Sequence, residues 1–218
     1  NEKWVKTNVL ELCKSFSVNV NCEFEYSLHF MKNSLGKMVK KYYERFQKER
    51  YFALFRQWSN HLKFKCSNDN DKITMLIKVQ GSAFKRDFLE DLLGYVEKVW
   101  ANKDFLIKFE LVENDFSDVI KILPTSKGIS YVPENNNQLI YLSTGQDTQV
   151  MKRVLAHEFG HVLGFPDCYV EFFDYTNKEL VYYEISKEAR NIMCSLRDDV
   201  QVQESYFTQL AENSCVFN

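Results

Sequence analysis

Glycine and proline are scarce in this chain: 7 Gly and 3 Pro among 218 residues, where average usage gives roughly 15 and 11. That scarcity excludes collagen-like and Gly/Pro-rich low-complexity readings. An excess of one charge is also lacking. The 28 Lys and Arg against 30 Asp and Glu leave a net charge of −2, so nothing in the overall charge calls for nucleic acid or a membrane surface as partner. No hydrophobic run approaches the roughly 18 residues of a membrane-spanning helix. What is present is aromatic and apolar: 18 Phe, 12 Tyr and 3 Trp within a 45% hydrophobic composition. This excludes disorder and suits either one large domain or a catalytic domain with an appendage. Six widely spread cysteines (Cys13, Cys22, Cys66, Cys168, Cys194 and Cys215) make an even count. An even count fits an oxidising compartment, so a secreted or periplasmic chain is expected. The chain opens on Asn1 rather than Met, as at a processed terminus or the edge of a longer polypeptide.

Along the chain, the alternation in VNVNCEFEYSLHF reads as a strand ending at Phe30. Leu35, Val39, Tyr42, Phe46, Phe55 and Trp58 follow at near-helical spacing, predicting one or two amphipathic helices. Residues 31–50 hold seven Lys or Arg and two acids, which makes a solvated basic face or a surface for something acidic. CSNDND at 66–71 reads as a polar turn, and there the sequence divides into an N-terminal region, 1–70, and a second domain, 71–218. In the latter, Ile73–Val79 reads as a strand and Phe84–Ala101 as an amphipathic helix with Phe88, Leu92, Tyr95, Val96 and Val99 on one face. Phe105–Val112, Val119–Leu123, Ile129–Val132 and Gln138–Ser143 read as strands. A helix from Thr148 to Leu163 is expected, capped by Asp147, and Lys178–Ala189 reads as helical. The order implies an α+β or mixed α/β fold.

The chemistry concentrates in His157-Glu158-Phe159-Gly160-His161-Val162-Leu163-Gly164-Phe165-Pro166-Asp167. On a helix, residues four apart share a face, so His157 and His161 can grip one metal ion, with zinc the natural choice for two imidazoles. Glu158 adjoins the first ligand, within reach of a water that the metal acidifies, and is the candidate general base. Gly164 can adopt the left-handed conformation that ends a helix, and Pro166 prevents its resumption. The chain can then turn back and present Asp167 as a third ligand. HExxHxxGxxD fixes five positions and should arise by chance on the order of once in 10⁴–10⁵ chains of this size.

On these residues the sequence resembles the metzincin clan of zinc metallopeptidases, in the variant with Asp as third ligand, and looks most like the snapalysin-type small proteases. The resemblance implies an α+β fold with a mixed sheet, a backing helix, an active-site helix and an irregular C-terminal subdomain, here preceded by a mainly helical region. It implies Zn²⁺ on His157, His161 and Asp167. It further implies a Met-turn at Met193, within Asn191-Ile192-Met193-Cys194-Ser195, as an apolar floor beneath the ligands. By the same resemblance, Ile129–Val132 or Gln138–Tyr141 would be the edge strand that pairs with extended substrate. Two positions depart from relatives within the clan. Ser195 stands where astacins and serralysins carry a Tyr, so a phenolic helper would have to be Tyr169 or Tyr182, or be absent. A third ligand that is Asp rather than His lowers the formal charge of metal plus ligands from +2 to +1, which should weaken the Lewis acid. If Asp167 and Met193 hold these places, Cys168 and Cys194 adjoin them and can form a disulfide between the post-helix loop and the Met-turn. The alternatives for Cys168 are a free thiol or Cys215. The connectivity of Cys13, Cys22 and Cys66 stays open.

The expected activity is therefore zinc-dependent endoproteolysis. The alternatives are a zinc amide hydrolase acting on cell-wall peptides, or an inactive metallopeptidase fold kept for binding. A protein or peptide substrate is the expected partner, with no nucleic acid, no membrane and a monomeric state. For residues 1–70 the readings are a fixed helical extension or a latency segment, in which Cys13, Cys22 or Cys66, or the acids Glu23 or Glu25, would meet the metal.

Overall fold

The computed structural model describes residues 2–14, 21–49, 56–57, 62–113, 118–133, 135–174, 179–184, 190–195 and 199–217. Phe55, Trp58, Lys178 and 185–189 lie outside these. The chain forms two compact units, Asn1–Leu54 and Phe55–Asn218.

The first unit is helical: α1 Glu2–Lys14, α2 Cys22–Met31 and α3 Leu35–Glu49. The strand expected through Phe30 is α2 instead. Its apolar alternation is incidental, because the buried pair Cys22 and Tyr26 is spaced by four while Phe24 lies 68% exposed. Asn21 caps the helix by accepting the Phe24 N–H at 3.1 Å, and Glu23 and Glu25 sit in the first turn, where the helix dipole favours them. Val9, Leu10, Met38 and Tyr42 complete the core around the Cys13–Cys22 disulfide.

The second unit carries a six-stranded mixed sheet. Strand β1, Phe64–Asp69, and strand β2, Lys72–Gln80, form an antiparallel hairpin with Asp69 opposite Lys72. Asn70 and Asp71 both have positive φ, 52° and 64°, as a two-residue hairpin turn of the favoured hand requires. Of the segment expected to be a polar turn, 66–69 are strand and the turn is confined to Asn70 and Asp71, so 64–69 belong to the sheet. Helix α4, Arg86–Val99, links β2 to the parallel strand β3, Phe105–Leu111, as a βαβ unit. Its buried stripe is Leu89, Leu92, Leu93 and Val96, rotated from the expected face. β3 lies along one edge of β2, so β1 and then β4, Val119–Thr125, share the other. β5, Leu139–Ser143, runs parallel to β4.

Ile129–Val132 is not a full strand. It makes one antiparallel bridge, Tyr131 to Tyr141, with both backbone bonds at 2.9 Å. This places it outside β5 at that end of the sheet among the described residues. Helix α5, Thr148–Val162, packs on α4 and β5 and is capped by Asp147, which accepts the Gln149 N–H at 2.8 Å. Beyond it, β6 Tyr169–Asp174 and β7 Glu179–Glu184 form a separate antiparallel hairpin. Within the helix expected over Lys178–Ala189, the described residues Glu179–Glu184 are a strand, as suits the β-branched and aromatic run LVYY. The chain closes with α6, Glu204–Gln209, a π-helical turn Leu210–Ser214, and β8, Cys215–Phe217, which lies parallel to β1 and is joined to it by Cys66–Cys215. No helix of the described residues is long and apolar enough to cross a membrane. All six cysteines are in disulfides. None is therefore available as a latency thiolate. Of the candidate acids, Glu23 pairs with Lys6 at 3.5 Å, and Glu25 accepts from Tyr42 and Lys41.

Candidate metal centre

α5 brings the motif together as its spacing predicts. Gly164 sits at φ 92°, its N–H bonds His161 O at 2.9 Å, and the Phe165 N–H bonds Gly160 O at 2.9 Å. That bond pair is the Schellman closure of a helix, and it turns the chain so that Asp167 faces back toward the helix. Asp167 Oδ1 lies 3.0 Å from His157 Nε2 and 3.2 Å from His161 Nε2. These three side chains are the group among the described residues that could hold a metal ion.

The outer bonds decide which nitrogen faces inward. His157 Nδ1 meets the Ile192 carbonyl at 2.8 Å and His161 Nδ1 meets the Phe165 carbonyl at 2.9 Å. A carbonyl can only accept, so each Nδ1 carries the proton and each Nε2 presents a lone pair. Asp167 Oδ1 is sealed from solvent without a hydrogen-bond donor, although its side chain is 36% exposed as a whole. Three lone pairs at such distances are compatible only with a positive charge among them, so the residues fit a metal ion. Protonated imidazoles would pair with the same carboxylate oxygen in place of a metal ion. Burial would raise the Asp167 pKa, but the two imidazoles overcome it and hold the carboxyl well below its ordinary range. Burial likewise opposes charge on His161, and Asp167 outweighs it, so the His161 pKa is raised.

Glu158 is 5% exposed, and its Oε2 finds no donor. Burial pushes its pKa up, against the pull of the imidazoles and of a bond from the Val132 N–H. That bond ties the outer sheet segment to the site. The raised pKa has a stability consequence. A carboxyl that keeps its proton to higher pH in the folded state loses folding free energy as pH rises from about 4.5, its unfolded value, through its folded pKa. In chelator-treated protein, denaturant titrations from pH 4.5 to 8 are expected to show Glu158→Gln gaining stability over wild type as pH rises. A gap that stays constant would contradict the direction of the shift.

Met193 is fully buried against α5. A Cβ placed on Gly160 would stand 2.1 Å from its Sδ, 2.9 Å from its Cε and 3.2 Å from Trp100 Cζ2. Gly160→Ala should normally gain about 0.5–1 kcal/mol in a helix interior, yet here overpacking costs about 1–3 kcal/mol. A net loss of about 1 kcal/mol in denaturant titrations is expected, and increased stability would show that Met193 yields freely. Cys168 and Cys194 form a disulfide, and the Cys168 N–H also bonds Met193 O at 3.0 Å. Ser195 is buried and its N–H bonds Asn191 O. The backbones of Tyr169 and Tyr182 lie in β6 and β7, with side chains outside those described.

Several supports escaped sequence reasoning. Trp100 Nε1 donates to Ala156 O at 2.8 Å inside the turn preceding His157, and its ring stacks on Phe165. Gln57 Nε2 donates to the Leu163 carbonyl at 2.6 Å and to Ser214 Oγ at 2.5 Å, closing the C-terminal end of α5. Asn191 and Tyr206 join the Met193 turn to α6. Only the aromatic richness hinted at such a layer.

Fold and site together define an α+β chain in which two histidines of one helix and an aspartate beyond it could hold a metal ion. No family model and no curated protein matches the chain. Among solved structures, one titled "Structure of myroilysin" is similar at 22% identity over 42% of this chain and 48% of that one, with a TM-score of 0.31. Another, "Crystal structure of myroilysin", is similar at 17% identity over 53% and 56%, with a TM-score of 0.33. The chain thus spans about half the length of the myroilysin chains it matches.

Proposed function

We propose that the chain is a zinc-dependent endopeptidase of the metzincin type, with His157, His161 and Asp167 as ligands, Glu158 as general base and Met193 as the floor of the site. The observation that carries this is the convergence of two Nε2 lone pairs and a donorless carboxylate oxygen, with a buried carboxylate on the residue after the first histidine. Zinc held there supplies a Lewis acid that polarises a peptide carbonyl and brings the pKa of a water towards about 7. Glu158 takes the proton of the attacking water and passes it to the leaving amine. The outer segment 129–132, bridged to β5 on one side and bonded through Val132 to Glu158, is the place for an extended substrate to add as a strand. Three disulfides support a secreted or periplasmic enzyme. The first unit, Asn1–Leu54, holds none of these residues and serves as a helical extension, whereas Phe64–Asp69 belong to the sheet and Gln57 bonds the end of α5.

The test combines metal analysis with digestion of a broad peptide library. One zinc per chain is expected, with internal cleavage that stops on chelation and returns with zinc. Zinc binding without cleavage of any library peptide would favour a binding module, and cleavage confined to cell-wall peptides would favour the narrower amide hydrolase.

A further inference from the structure

The bonds that aim the two imidazoles end on the backbone at Ile192 and Phe165, and both of these places lean on one side chain from the far end of the chain. We propose that Tyr206 is a positioning residue of the metal centre that holds both histidines in the tautomer able to bind metal. The inference rests on reading His157, His161 and Asp167 as metal ligands.

Its ring forms one arm. It stacks on Phe165 with centroids 4.1 Å apart and planes within 16°, and Phe165 supplies the carbonyl that receives His161 Nδ1. Its hydroxyl forms the other. It accepts a hydrogen bond from Asn191 Nδ2 at 3.1 Å, while Asn191 Oδ1 takes the Met193 N–H at 2.9 Å and Asn191 O takes the N–H groups of Cys194 and Ser195 at 2.9 and 3.1 Å. Asn191 thereby shapes the turn whose Ile192 carbonyl receives His157 Nδ1. The Ile192 N–H is in turn tied to Gln201 O at 3.0 Å, on the segment leading to α6. Tyr206 is wholly buried and Asn191 is 2% exposed, so water does not compete for these bonds and their geometry is rigid. A group that orients a ligand through its outer nitrogen controls metal affinity as well as folding.

Tyr206→Phe keeps the ring and removes the hydroxyl. Zinc affinity, measured by competition with a chromophoric chelator at a temperature where the metal-free variant is folded by circular dichroism, is expected to fall about 10-fold. That is the lower end of the range of about 10–100-fold for outer partners of a metal ligand. The visible absorption of the cobalt(II)-loaded protein is expected to shift, because the His157 ring is freed to tilt. Asn191→Leu should behave the same way. Asn191→Asp keeps the acceptor for Met193 and lets the Tyr206 hydroxyl donate instead of accept, so it should retain affinity within about threefold of wild type. Wild-type zinc affinity with an unchanged cobalt spectrum in Tyr206→Phe would overturn the proposal. So would an equal loss in Asn191→Asp and Asn191→Leu. These readouts separate the two readings. A wild type that binds zinc but cleaves nothing defeats the peptidase assignment alone, whereas a Tyr206→Phe protein that binds zinc normally and cleaves normally defeats only the role of Tyr206.

Discussion

Zinc-loaded Glu158→Gln is expected to keep its metal and lose about 10²–10⁴-fold in kcat/KM, the usual contribution of a positioned general base. The carboxylate stands apart from the group that could hold a metal ion, His157, His161 and Asp167. Its removal should therefore leave metal content unchanged. Glutamine has the same shape and can still accept the Val132 N–H through its carbonyl, so the outer sheet segment stays tied to the helix. What it cannot do is take a proton. Glu158→Ala should lose activity at least as fully while also leaving a small cavity in a nearly sealed position. Metal analysis beside a peptide-cleavage assay reads both effects. Undiminished cleavage by a zinc-loaded Gln variant would remove Glu158 from the mechanism.

Asp167→Ala is expected to weaken zinc binding by more than the roughly 100-fold upper range for an outer-shell partner, because a direct ligand is lost. Asp167 Oδ1 sits within 3.2 Å of both inward nitrogens, and it is the only negative charge of the three side chains. Without it two neutral imidazoles remain, and zinc sites of three protein ligands become sites of two. Asp167→His should restore much of the affinity and return the formal charge of metal plus ligands from +1 to +2. A stronger Lewis acid should then shift the acidic limb of the pH–rate profile downward. Chelator competition for Asp167→Ala and a pH–rate profile for Asp167→His check the two statements. Zinc affinity in Asp167→Ala equal to wild type would show that the third ligand lies elsewhere.

The legible parts of the sequence are those set by local periodicity. Thr148–Val162 begins at Asp147 and ends at Gly164 as its capping residues demand, and its i, i+4 spacing delivers both imidazoles to one side. Strands 73–79, 105–111 and 119–123 were readable because apolar β-branched residues cluster in short runs. Residues 22–31 look like a strand in sequence because polar–apolar alternation over five residues fits two periods, and burial of Cys22 and Tyr26 together selects the helical one. Residues 179–184 look helical in sequence because nothing local to them encodes their pairing with 169–174.

The sequence by itself determined the group that could hold a metal ion: spacing, helix stop and turn residue at 157–167 are local, and local rules suffice for them. Tertiary structure alone decided what surrounds that set. The Asn191–Tyr206 link, the Phe165–Tyr206 stack, the Gln57 bonds to Leu163 and Ser214, and the pairing of Cys66 with Cys215 across 149 residues join segments far apart in the chain. No periodicity encodes such contacts, because they arise only when separate elements compete for the same buried volume and for the same unpaired backbone groups.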